Sequence, residues 1–267
     1  MQHGFVNGRR HDIGCHYTNI NTISDVMSDD PQTIVTLQSK EEDEPCFVTI
    51  HKELLCFYSP YHDRLLNSGF AEGRIPRTEP LHIDAYKVVL EAFFKWLYTG
   101  KLPTLFPEDS SADELRSWYF QLTMLYVLAD WMNCTALQRA IMSALVSLKP
   151  TILPSFEAIG ALSDSSLESS QLYRYFADRY AEHWDGLSDG HCDIDSDDSM
   201  PQNFSHRVLL RRLRKDHHHD DSDRYIGYDC ICCHHPCRYH NHDDDVERRN
   251  STLSICDFDW ASTDEQI

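Results

Sequence analysis

The sequence predicts an α+β fold, a small sheet covered by a cluster of α-helices, with disordered N- and C-terminal arms. Three observations point there. Short β-branched runs open the patterned part, three longer stretches behind them carry apolar residues at three- and four-residue steps, and after Gly186 the periodicity stops. Hydrophobic residues make up 41% of the 267, enough for a core, while a mean hydropathy of -0.49 makes much of the remainder polar. A folded body with unfolded ends accommodates both numbers.

Residues 1–30 mix Gly, Asn, Asp, His and Ser without period and read as an arm. The first strand is Thr33 to Leu37, and after the acidic turn Lys40 to Glu44 and Pro45 comes a second, Phe47 to Ile50, spaced as a hairpin. From His51 the pattern becomes a helical turn with Leu54, Leu55, Phe57 and Tyr58. Ser59 then caps a further helix whose first residue is Pro60, where a missing N–H costs nothing, with Tyr61, Leu65 and Leu66 on one side. Gly69 to Pro80 is a loop, and Leu81-His82-Ile83 is a third short strand.

Asp84 is expected to cap the next helix, whose stripe is Val88, Val89, Ala92, Phe93, Trp96 and Leu97, closed by Gly100. Leu102 to Ala112 is a loop. A second stripe, Leu115, Trp118, Tyr119, Leu122, Leu125, Tyr126 and Ala129, follows, and Thr135-x-x-Gln138 reads as a capping box opening a third through Leu137, Ile141, Leu145 and Leu148. Pro150 ends that run. A further helical pattern, Leu172, Phe176, Tyr180 and Trp184, starts behind Ser169-Ser170 and is expected to pack on the same body. The domain organisation is therefore an arm over 1–30, a folded domain over 31–150, a helical extension over 151–186, and an acidic, His/Cys-rich, largely disordered tail over 187–267.

A net charge of -19 and a pI near 5.1 work against nucleic acid or an anionic membrane as main partner, because both demand a cationic face. A protein partner is favoured. No apolar run suits a signal peptide or approaches the roughly 20 residues of a membrane span, so cytoplasm or nucleus is the expected compartment. The ten cysteines have no regular spacing. Cys46, Cys56 and Cys134 lie in apolar, patterned segments and read as reduced core thiols.

Two runs carry a family resemblance: Thr49 to Leu66, with His51-Lys52, Leu54-Leu55 and Ser59-Pro60-Tyr61, and Phe93 to Gly100. Together with Tyr126 to Asp130 and Leu137 they resemble the BTB/POZ domain over about 115 residues of this chain. The stretch Ile152 to Glu182 is similar to the helical extension of many fungal members. The resemblance implies a stand-alone, fungal-type BTB protein that builds protein–protein contacts and does no chemistry. Residues 1–30 lack the leucine-rich helix through which many animal members exchange segments, so a swapped homodimer is not implied. Several members dock on a cullin scaffold of ubiquitin ligases through an apolar residue followed two positions later by an acid, and Phe106-Pro107-Glu108 fits that pattern. Phe106, Glu108 and Tyr119 are thus the candidate partner-binding residues.

The one cluster with ligand chemistry is Cys230-x-Cys232-Cys233-His234-His235-Pro236-Cys237-x-x-His240. Thiolate and imidazole suit tetrahedral zinc, and Cys230, Cys233, Cys237 and His240 are the candidate ligands. Cys230 and Cys233 have no second C-x₂-C pair elsewhere in the tail, however, which favours an unfolded tail that picks up metal adventitiously, and no resident cofactor is expected. Arg207, Arg211, Arg212, Arg214 and Lys215 surround Val208, Leu209, Leu210 and Leu213, which is expected to be a solvated helix face rather than an import signal or a docking helix. His62 and Asp63 are expected to be exposed, and Trp96, Trp118 and Trp131 to be core or interface aromatics, more often core. No phosphate loop, nucleophile elbow or H-E-x-x-H pair occurs, and an enzyme is not expected. Three readings follow: a substrate adaptor for a cullin-type ligase, a self-associating scaffold without a ligase link, and a zinc-responsive regulator using the Cys/His tail.

Overall fold

A computed structural model describes residues 34–41, 44–67, 79–103, 111–147, 153–184, 200–217 and 239, all within one unit of the chain spanning 22–241. The fold is α+β and mostly helical. The sheet has the order β2-β1-β3. Strands β1 (Ile34–Gln38) and β2 (Phe47–His51) pair antiparallel with Val35 opposite Ile50 and Leu37 opposite Val48, so four apolar side chains share the buried face. β3 (Leu81–His82) runs parallel to β1, and Ile83 continues the contact by donating its N–H to Gln38 O at 2.8 Å.

The chain turns directly from β2 into α1 (Lys52–Tyr58), which buries Leu54 and Leu55, and then into α2 (Pro60–Asn67). The buried side of α2 is His62 and Leu66, not Tyr61 and Leu65 as the apolar pattern suggested. A polar contact set this rotation: His62 is drawn inward by Ser59, described below.

Helix α3 (Lys87–Thr99) buries Val89, Leu90, Phe93, Trp96 and Leu97 and leaves Val88 out. Its N-cap is Tyr86 and not Asp84; Lys87 N–H instead donates to Glu41 Oε1 at 2.6 Å, which ties the helix start to the end of β1. Gly100 ends it in the left-handed region (φ 66°), giving its N–H to Trp96 O at 2.7 Å.

α4 (Ala112–Trp131) is the central helix, burying Trp118, Tyr119, Leu122, Leu125, Tyr126 and Ala129. It opens with a reciprocal capping box at Ser111 and Glu114, legible as S-x-x-E. α5 (Thr135–Ser147) has no such box at Thr135: Cys134 O accepts Gln138 N–H, and the Gln138 side chain donates to Asp130 Oδ1 at 3.0 Å. The sharp α4–α5 corner places Asn133 at φ 55°, a conformation Asn tolerates better than most residues.

The helical extension consists of α6 (Phe156–Asp164), capped by Ser155, and α7 (Gln171–His183), capped by Ser170. It joins the main core. Tyr175 OH donates to Leu145 O at 2.9 Å and Tyr180 OH to Pro154 O at 2.6 Å, so phenols of α7 satisfy carbonyls of α5 and of the connection into α6.

The tail differs from the expectation of general disorder. Residues Gln202–His217 form α8, which lies on α7 with Phe204 and Val208 fully buried. This basic stretch is therefore a docked helix and not a solvated face. The arm over 1–30 and the remainder of 187–267, apart from Met200, Pro201 and Tyr239, lie outside the described residues.

Candidate interaction surfaces

The strand-to-helix junction that carries the family resemblance is fixed by hydrogen bonds. His51 N–H donates to Tyr98 OH at 3.1 Å, and the same phenol oxygen lies 2.7 Å from His51 Nδ1, in hydrogen-bond contact. β2, α1 and α3 are thereby joined at one point.

Ser59 does more than cap α2. Its hydroxyl donates to Met132 O at 2.7 Å and accepts from His62 N–H at 3.2 Å, while His62 Nδ1 lies 2.9 Å from the same oxygen. A hydroxyl has one proton, already given to Met132, so Nδ1 must be the donor to Oγ. That arrangement excludes Ser59 as a nucleophile activated by His62, and both residues are fully buried. The expectation that His62 is exposed is corrected: it is a structural link between α2 and the α4–α5 corner.

On top of this link sits an aromatic pair. Tyr61 and Trp131 have ring centroids 4.8 Å apart and are 39% and 46% exposed. Trp131 is therefore not the core aromatic expected, whereas Trp96 and Trp118 are buried. Below the pair, the His62 ring stands edge-on to both, at 5.1 Å from Tyr61 and 6.1 Å from Trp131. Two large rings held over a buried hydrogen-bonded knot can bury area against a partner with little loss of side-chain freedom. The helical pattern hid Trp131, because it lies beside the buried stripe of α4, which continues past it from Ala129 to Met132.

Of the predicted partner-binding residues, Tyr119 is misassigned. It is 2% exposed, packed edge-on against Trp118 and Phe176, and belongs to the core where α4 meets α7. Phe106 and Glu108 lie outside the described residues, in a segment whose described ends are Pro103, which accepts from Trp118 Nε1 at 3.4 Å, and Ser111, the cap of α4.

The thiols behave as core groups. Cys134 is buried, which pushes its pKa up to about 12; Cys56, half-buried beside Asp63, is pushed up to about 11, mainly by burial. Cys46 is half-buried, and its thiol is also raised by burial and by Glu91. Such thiols are poor nucleophiles at neutral pH.

The predicted zinc ligands Cys230, Cys233, Cys237 and His240 lie outside the described residues, and among the described ones no three His, Cys, Asp or Glu side chains gather to hold a metal. Tyr239, within that same sequence cluster, is described and fully buried. Its hydroxyl donates to Asp178 Oδ2 at 2.7 Å and its ring stands 5.1 Å from Tyr175, so the tail touches α7 here as well as through α8. A Tyr flanked by Cys and His carries no helical periodicity, which is why the sequence alone did not reveal the anchor.

No protein-family model matches the chain, and no curated protein matches its sequence. Among the described residues no helix is long and apolar enough to cross a membrane.

Proposed function

We propose that this chain is a protein–protein interaction module of the BTB/POZ type, acting in the cytoplasm or nucleus as a substrate adaptor that docks on a cullin scaffold. The observation that carries the interaction reading is the exposed Tyr61–Trp131 pair, a preorganised aromatic anchor of the kind that dominates interface energetics. The order β1-β2-α1-α2-β3-α3, with the resembling residues at the β2–α1 junction, the α2 cap and the end of α3, supports the family assignment. Phe106 and Glu108 supply the apolar–acid pattern for the cullin.

Calorimetric titration of the full chain with a cullin N-terminal domain tests this reading. Micromolar or tighter binding that is lost on Phe106→Ala and Glu108→Ala supports the adaptor. No heat from folded protein at high concentration refutes it and leaves the self-associating scaffold, which sedimentation velocity then examines.

One observation favours the zinc-responsive regulator as a second reading. Tyr239, two residues after Cys237 and one before His240 in the sequence, is fully buried against α7. One zinc per untagged chain, lost on replacing Cys230, Cys233, Cys237 and His240, would support it; substoichiometric zinc would remove it.

A further inference from the structure

Helix α8 lies parallel to α7, and its polar contacts advance in step along it. Asn203 Nδ2 donates to Glu168 Oε1 at 3.2 Å, and Arg207 Nη1 to Glu168 O at 2.7 Å, with its guanidinium 5.3 Å over the Tyr173 ring. One turn on, Arg211 pairs with Asp178. Arg212 then reaches carbonyls at the C-terminus of α7, Ala181 O at 3.2 Å, Trp184 O, and Tyr180 O at 3.4 Å, which also accepts the Trp184 N–H, and lies 5.4 Å from the Trp184 ring.

The apolar side of this contact is small. Phe204, between the Tyr173 and Tyr180 rings at 5.3 Å from each, and Val208 are its fully buried members, while Leu209, Leu210 and Leu213 face outward. An ordinary amphipathic helix would bury the leucines. Here the register is chosen by guanidinium groups meeting a carboxylate and a helix C-terminus, partners that a planar, multi-donor cation fits better than an ammonium does.

We propose that the outer face of α7, from Glu168 to Trp184, is a recognition groove for a basic amphipathic helix with the spacing aromatic, aliphatic four residues on, and paired arginines at seven and eight. α8, with Phe204, Val208, Arg211 and Arg212, is its resident occupant and can be exchanged for the same helix supplied in trans. Asp178 is the specificity-determining group. Its Oδ1 meets Arg211 and its Oδ2 accepts from Tyr239, so Tyr239 holds the carboxylate in place for the arginine. This inference is independent of the cullin reading.

The test uses a fluorescently labelled peptide of residues 200–217 and anisotropy with full-length chains. Wild type is expected to bind it at least a hundredfold more weakly than a Phe204→Ala/Arg212→Ala chain, because a helix on the same chain competes at an effective concentration on the order of millimolar. Binding to the double variant should weaken with salt. It should fall at least tenfold when the peptide carries lysine at positions 211 and 212, and likewise when Asp178→Asn is added to the chain. Equal binding to wild type and variant, no binding to a variant with native circular dichroism, or indifference to the lysine exchange would each overturn the proposal. Hydrogen exchange supplies a check independent of the double variant. Asp178→Asn in the wild-type background should speed exchange over 203–213 and leave α3 and α4 unchanged; unchanged exchange over 203–213 would overturn the assignment of Asp178.

Discussion

Ser59→Ala and Ser111→Ala remove the same atom from the same position of two helices, and the structure makes their effects unequal. Ser111 caps α4 at an exposed site, where water can take over the freed N–H, so its loss is expected to destabilise by about 1 kcal/mol. Ser59 is fully buried and serves three groups. Its removal forfeits the cap, again about 1 kcal/mol, and leaves Met132 O and His62 Nδ1 without this partner in a dry site, at roughly 1–3 kcal/mol each. Ser59→Ala should therefore cost about 3 kcal/mol or more. Urea unfolding followed by circular dichroism measures both: at a slope of roughly 1–3 kcal/mol/M, the midpoint should fall by about 1 M or more for Ser59→Ala, with the slope unchanged. Equal losses for the two variants, or a loss below about 1 kcal/mol at Ser59, would show that the Ser59–His62–Met132 knot adds nothing beyond an ordinary cap.

The two described glycines should respond with opposite signs. Gly160, inside α6 with open space at its Cβ position, should gain roughly 0.5–1 kcal/mol on substitution by Ala, whereas Gly100→Ala forces a side chain into the left-handed region and should lose about 1 kcal/mol, both read from thermal midpoints. Cys134 gives a pH prediction: its folded pKa of about 12 exceeds the unfolded value near 9, so the folded state keeps a proton that the unfolded state releases. Its contribution should be complete below pH 9 and decline as pH rises toward 12; Cys134→Ala should show a shallower alkaline loss, and an identical slope would remove the thiol from the explanation. Tyr61→Ala/Trp131→Ala should change stability by no more than about 1 kcal/mol, as exposed positions do, yet weaken partner binding at least tenfold; retained binding would take the aromatic pair out of the interface.

Much of the scaffold was legible from periodicity and capping chemistry. The β1–β2 pairing, the Ser59-Pro60 helix start, the Gly100 stop and the Ser170 start all follow from local sequence, because each depends on backbone groups a few residues away. Expectations failed where a distant group decided. Asp84 lost the cap of α3 to Glu41, which is remote in sequence, and the buried face of α2 turned by one residue because Ser59 binds a carbonyl at Met132. Tyr119 read as a surface aromatic only while α7 was not known to cover it. The docking of α8 was hidden for a similar reason: Arg211 and Arg212 meet groups of α7 and Arg207 meets Glu168 O just ahead of it, and no pattern internal to Gln202–His217 records these acceptors.

The parallel seating of α8 moves the edge of the independently folding body. α7 is buried around nearly its whole circumference, from Leu172 to Tyr180, and α8 supplies one side of that cover. A chain cut near residue 186, where the periodic signal fades, would lay bare the Tyr173 and Tyr180 rings and strip the last carbonyls of α7 of their guanidinium donor. Such a shortened protein would carry a sticky aromatic seam of its own making, and any self-association it displayed would report the cut rather than the biology. Keeping both α8 and Tyr239, which is fully buried against Tyr175 and Asp178, is what leaves α7 covered, so the self-covered unit extends from β1 beyond α8 to Tyr239.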